Sequence, residues 1–163
     1  MAIKDIKVHP DKILLEPASP LTLAMFTNDE PIHIVRRAWL DWIKSLLKDL
    51  TDTMLINDGV GLAAPQIGVP LRVIVYREGE EVNHLINPEI ISRGPSVRSY
   101  GEGCLSVPDV RKDVRRAKQV VVRGYSVLAD MPVEINMKTK TKMLAFILQH
   151  EIDHLNGITI MEK

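Results

Sequence analysis

The segment His150-Glu151-Ile152-Asp153-His154 stands close to the end of a 163-residue sequence, with nine residues after His154. No other feature restricts the fold so sharply. On an α-helix, positions four apart differ by about 40° around the axis, so both imidazoles leave from one face. A glutamate directly after the first histidine projects near that face. Two nitrogen ligands with a carboxylate beside them make the HExxH pattern of metal-assisted hydrolysis. The competing reading is an amphipathic helix whose two histidines are ordinary surface or core polar residues. A catalytic metal takes three protein ligands and keeps one position open. After His154 the sole carboxylate is Glu162, and Ile160 stands where a third histidine would continue the pattern as HExxHxxGxxH. The third ligand must therefore come from upstream, and the chain must fold its middle back onto its last helix.

The best upstream candidate is Cys104, within Glu102-Gly103-Cys104-Leu105-Ser106-Val107-Pro108. A thiolate with two imidazoles supplies three ligands and leaves room for water. Glycines at 101 and 103 allow close backbone approach and unusual dihedrals. The alternative for a lone cysteine is a small buried hydrophobe. With one cysteine there is no internal disulfide, which fits a reducing, cytoplasmic compartment. Twenty-one basic and twenty-one acidic residues give zero net charge, which argues against direct nucleic-acid binding. No apolar run approaches a membrane span, and the first ten residues hold no signal-like core. The length predicts a single domain over 1–163, large enough to bury a core.

Periodicity predicts the elements. Asn28 and Asp29 are candidate caps, and Pro31 suits a first turn, for a long amphipathic helix from Ile32 to about Leu55, ending near Asn57-Asp58-Gly59. Leu71 to Tyr76 and Val82 to Ile91 read as strands joined at Glu78-Gly79-Glu80. Val120 to Val127 and Val133 to Met137 form a second pair, joined through Ala129-Asp130-Met131-Pro132. Gly94 to Arg116 reads as irregular. A last helix is expected from about Thr139 to Asn156, ended by Gly157. Helix, antiparallel strands, then helix predicts an α+β fold: antiparallel or mixed sheets around a C-terminal metal-binding helix, with a long N-terminal helix.

A third stretch, Gly59-Val60-Gly61-Leu62-Ala63-Ala64-Pro65-Gln66-Ile67-Gly68, lacks the spacing of a phosphate-binding loop. Its small residues suit a backbone passing close to something, and Gln66 presents an amide donor. By itself it reads equally as a Gly-rich turn.

Taken together and in order, Gly59-Val60-Gly61-Leu62-Ala63-Ala64-Pro65-Gln66, Glu102-Gly103-Cys104-Leu105-Ser106 and His150-Glu151-Ile152-Asp153-His154 resemble the three signature motifs of peptide deformylases. The Leu85-Ile86-Asn87-Pro88 segment fits as well, and the resemblance covers roughly residues 40 to 158. It implies removal of the N-formyl group from the initiator methionine of nascent polypeptides. By matching positions it implies Cys104, His150 and His154 as metal ligands, Glu151 as general acid/base, and Gln66 with the Leu105 N–H as an oxyanion hole. The implied metal is Fe(II), with Zn, Ni or Co as substitutes. Val60, Gly61, Glu102 and Gly103 match positions that pair with the substrate main chain as an added strand. Phe146 and Ile147, one turn before His150, are candidate walls for the methionine side chain, or simply core. Glu102 and Arg116 match a family ion pair.

Two departures carry expectations. Arg115 replaces a common proline, which alters only a loop. The sequence lacks the C-terminal helix with which many bacterial members dock at the ribosome, so ribosome association is expected to be weak or different. Such short tails also occur in phage-encoded members. A monomer is expected. The alternatives are another small HExxH metallopeptidase and a non-catalytic protein with a structural zinc. His9, His33 and His84 lie outside the motifs without ligand spacing.

Overall fold

The computed structural model describes residues 3–23, 33–128 and 130–163. The expected caps at Asn28 and Asp29, Pro31, Ile32 and the linker residue Ala129 lie outside the described residues. Helix α1 spans His33–Ile56 and α2 spans Lys142–Leu155. Between them run β1 (Gly61–Ala63), β2 (Val73–Glu78), β3 (Glu81–Arg93), β4 (Ser96–Cys104), β5 (Val107–Ala117), β6 (Val120–Leu128) and β7 (Met131–Lys138). The fold is α+β. One five-stranded sheet has the order β1-β2-β3-β6-β7, and β4 and β5 form a separate two-stranded ribbon. Every pairing between these strands is antiparallel. The mixed sheet allowed by the sequence reduces to one isolated parallel bridge between Ser19 and Leu71.

The five-stranded sheet is covered on both faces, which explains the uninterrupted apolar run Val73-Ile74-Val75-Tyr76. Successive side chains on a strand point to opposite faces. Ile74 and Tyr76 join Leu85, Val120 and Val122 against Leu144, Ala145, Leu148, Ile152 and Leu155 of α2. Val73 and Val75 join Ile86 and Leu62 against Ile43, Leu46, Leu47, Leu50 and Met54 of α1. Burial on two faces removes the polar alternation expected of a half-exposed strand.

Three sequence readings shift. The stretch 94–116, read as irregular, is the β4–β5 hairpin with Leu105 and Ser106 as its two-residue turn. Its strands pair only with each other, so most of its side chains face solvent and carry no core-facing period. Register shifts between Ser99 and Glu102 and between Glu102 and Cys104 break the alternation further. The Gly-rich turn after α1 contains a short edge strand, β1, followed by a 3-10 turn over Ala64–Ile67. Helix α2 begins at Lys142 rather than Thr139, because Thr141 caps it by accepting from the Leu144 N–H at 3.1 Å. Thr139 is instead tied to Val120, whose N–H donates to Thr139 Oγ1 at 3.1 Å. Gly157, at φ +73°, follows α2 in the left-handed conformation that favours glycine. There the backbone of Leu15 leaves no space for a Cβ, which would lie 2.8 Å from it.

Candidate metal centre

Helix α2 carries His150 and His154 one turn apart, their ring centroids 5.0 Å apart and nearly perpendicular. The end of β4 brings Cys104 to them. One ligand atom from each of Cys104, His150 and His154 lies within 4.8 Å of the others, and Cys104 Sγ is 3.2 Å from His154 Nε2. Nothing in the local sequence of β4 places that thiol. The two glycines and register shifts before Cys104 bend the ribbon, and α2 packs against β5.

The donor set suits a divalent first-row metal, since one thiolate and two imidazoles are borderline-soft ligands. Burial pushes His154 well below the ordinary imidazole value, helped by the charges of His150 and Arg116, which favours the neutral, ligating form. Burial also opposes charge on His150, but Cys104 and Glu102 outweigh it and lift its pKa to about 10. The thiol and the carboxylate flanking His150 thus favour positive charge at this position.

Around these residues runs a chain of ion pairs. Glu102 Oε2 lies 3.4 Å from His150 Nδ1 and accepts from the Arg116 guanidinium at 2.9 Å. Arg116, 3% exposed, also donates to Asp153, which takes a second bond from Lys163 Nζ at 3.0 Å. Burial raises the Glu102 pKa, but hydrogen bonds from His150 and Arg116 prevail and hold it at about 2. Fixing the Nδ1 side of His150 leaves its other nitrogen free to face the ligand cluster.

Glu151 is 4% exposed, and its Oε2 has no hydrogen-bond partner among the described residues. Burial pushes its pKa up to about 7, against the lowering effect of His150 and Arg116. A carboxylate poised there exchanges protons near neutrality. Its room comes from Gly61: a Cβ built on that residue would lie 2.4 Å from Glu151 Oε1. Gly61→Ala is therefore expected to displace the carboxylate and to cut kcat on the order of 10²-fold. Steady-state kinetics beside a thermal melt separates this from unfolding; a variant with full kcat would show that Glu151 has other room.

Gln66, 2% exposed, is held at both ends. Its Oε1 accepts from the Ala63 N–H at 2.8 Å, and its Nε2 donates to Ser106 Oγ at 3.1 Å and faces Cys104 Sγ at 3.8 Å. The amide donor thus points toward the thiol. Leu105 sits in the turn directly after Cys104. A cleft of about 1400 Å³ opens over the cluster, and Val60, Gly61, Gln66, Glu102, Gly103, Cys104, Leu105, Phe146, Ile147, His150 and Glu151 all line it. His154, 1% exposed, lies beneath it.

Sequence reasoning missed three contributors. Ser106 anchors Gln66. Arg111 lies over Gly103, where a Cβ would come within 2.0 Å of its guanidinium. A strap from the N-terminal segment ties both donor-bearing loops: the Lys7 N–H donates to the Gln66 carbonyl and the His9 N–H to the Ser106 carbonyl, each at 2.8 Å. Main-chain bonds of this kind leave no signature in side-chain identity.

Three comparisons bear on this arrangement. A family model described as polypeptide deformylase matches residues 3–163. The chain is similar to the peptide deformylase of Syntrophomonas wolfei, with 50% identity over 119 residues, 72% of this chain and 74% of that one. Similarity to the peptide deformylase of Natranaerobius thermophilus extends over 100% of this chain and 93% of that one, at 39% identity. The fold matches the Met-Ala-Ser-bound crystal structure of a class I type b peptide deformylase from Acinetobacter baumannii. That match has a TM-score of 0.81 and 29% identity, covering 99% of this chain and 98% of that chain.

Proposed function

Since the chain belongs to the polypeptide deformylase family and is thus a hydrolase of N-formyl amides, we propose that it removes the formyl group from formyl-methionine at the start of nascent polypeptides, releasing formate. The observation that carries this reading is the juxtaposition, at the floor of one cleft, of three ligating atoms within 4.8 Å and a buried carboxylate with an unpartnered oxygen. Residues 1–163 act as one catalytic domain.

Cys104, His150 and His154 hold the metal, Fe(II) in the cell, with Zn, Ni or Co able to take its place. When bound, such an ion supplies Lewis acidity and acidifies water toward neutral pH. Glu151 accepts the proton of the attacking water and later delivers it to the departing amine. The Gln66 amide and the Leu105 N–H donate to the oxygen on which charge develops, each worth a few kcal/mol at the transition state. Val60 and Gly61 on one wall, and Glu102 and Gly103 on the other, pair with the substrate main chain; β1 supports this, being an edge strand with no strand on its outer side among the described residues. Phe146 and Ile147 wall the methionine side chain. The Acinetobacter baumannii deformylase with Met-Ala-Ser bound supports a peptide that begins with methionine as the ligand.

Among the described residues no helix is long and apolar enough to cross a membrane. We place the enzyme in the cytoplasm, acting as a monomer on emerging chains.

The test is formate release from formyl-Met-Ala-Ser by protein purified without oxygen, with metal quantified. One metal per chain and turnover of the formylated peptide alone are expected. Removal of the metal by a chelator should abolish turnover and lower Tm, because the ion binds the folded state only. Cleavage of an internal bond in an acetyl-blocked peptide would instead point to a peptidase. Turnover that survives complete metal removal would overturn the reading.

A further inference from the structure

Along the face of α2 that lines the cleft, side chains follow in an order set by the helical repeat. His150 and Glu151 come first, then Phe146 and Ile147 a turn back, then Lys142 and Met143 a turn further. Lys142 thus stands about 12 Å along the axis from His150. Lys142 is exposed, yet its Nζ lies over the Phe146 ring, 5.6 Å from the centroid, at the solvent-facing end of the side-chain pocket.

Two ordinary reasons for a lysine there fail. A cation in the first turn of a helix opposes the helix dipole and costs stability. Among the described residues Lys142 also makes no ion pair, its one contact of this kind being the Phe146 ring. What remains is its place at the far end of a pocket whose near end is the reacting centre.

We propose that Lys142 is a specificity-determining residue that widens the substrate range of this site to chains whose first residue is methionine sulfoxide. The inference rests on the deformylase reading and on Phe146 as a wall of the first side-chain pocket. A thioether is a weak hydrogen-bond acceptor, so an ammonium at the pocket end adds little for unmodified methionine. Oxidation puts a polar oxygen on the same sulfur without lengthening the chain. A wholly apolar pocket would reject that oxygen, because burying it without a partner is costly. The Lys142 ammonium offers a charge-assisted donor where the oxygen arrives. Chains begun with an oxidised methionine are then still deformylated.

The experiment compares kcat/KM for formyl-Met-Ala-Ser and its methionine-sulfoxide counterpart on metal-loaded wild type, Lys142→Met and Lys142→Arg. The readout is the ratio of the two values, so a general loss of activity in a variant cancels. In Lys142→Met the sulfoxide-to-thioether ratio is expected to fall about tenfold or more, the scale of a lost hydrogen bond from a charged donor. Lys142→Arg, which keeps a cationic donor, should hold the ratio within about threefold of wild type. An unchanged ratio in Lys142→Met, or rejection of the sulfoxide peptide by wild type while the thioether peptide turns over, overturns the proposal. Failure of wild type to turn over either peptide overturns the deformylase reading, and the proposal with it.

Discussion

Replacing Glu151 with glutamine is expected to lower kcat by about 10²–10⁴-fold while metal content per chain stays unchanged. The two side chains have nearly the same shape, so the packing against Gly61 survives. What is lost is a group that can take up and return a proton. Glu151 is not among the three clustered ligands, so its substitution leaves the thiol and both imidazoles in place. The pH profile gives a second readout. With its pKa raised by burial to about 7, Glu151 in the wild type should lose its role as base as pH falls below that value. The residual activity of the variant should lack that limb. Metal analysis beside kcat against pH checks both statements, and full activity in the variant would remove Glu151 from the mechanism.

The second large effect concerns stability. Arg116→Met removes the one guanidinium that joins two carboxylates, Glu102 and Asp153, in a setting where Arg116 itself is 3% exposed. Taking one partner from a buried pair leaves uncompensated charge, typically worth about 3–5 kcal/mol. For a chain of this size that corresponds to a fall in Tm on the order of 10 °C. The pH dependence follows from the sign of the Glu102 shift. Its folded pKa, about 2, lies below the ordinary 4.5, so its contribution is complete above 4.5 and drains away as pH falls toward 2. Without the guanidinium Glu102 titrates higher, closer to its unfolded value, so the variant should lose less stability than the wild type as pH falls from 4.5 toward 2, and the gap in Tm between them should narrow. Thermal melts from about pH 7 down to about pH 3 test this. Equal Tm values across that range would show that the ion chain is ornamental.

Some of this molecule was readable directly and some was not, for physical reasons. The histidine pair was legible because helical spacing alone decides that positions 150 and 154 share a face. The strand over Val73–Glu78 was legible because four successive buried apolar residues mark a strand covered on both sides. The Cys104 ribbon was not. Its strands answer to each other and to α2 rather than to a sheet, so the alternation that betrays a strand never develops. Gly61 could be seen as a glycine, but not why it must be one: the reason is a carboxylate carried ninety positions later, known only once α2 is laid across β1. The strap through Lys7 and His9 works through peptide N–H groups that every residue except proline supplies.

Cys104 and His154 are 50 positions apart and meet at 3.2 Å. During synthesis the thiol leaves the ribosome first. At about 5–20 residues per second, it waits roughly 3–10 s before its second imidazole is even polymerised. Through that interval it is a free thiol with no completed cage to hold it. The candidate metal centre is thus incomplete until position 154 has been made. Conditions that oxidise thiols within seconds would therefore strike the newest copies hardest.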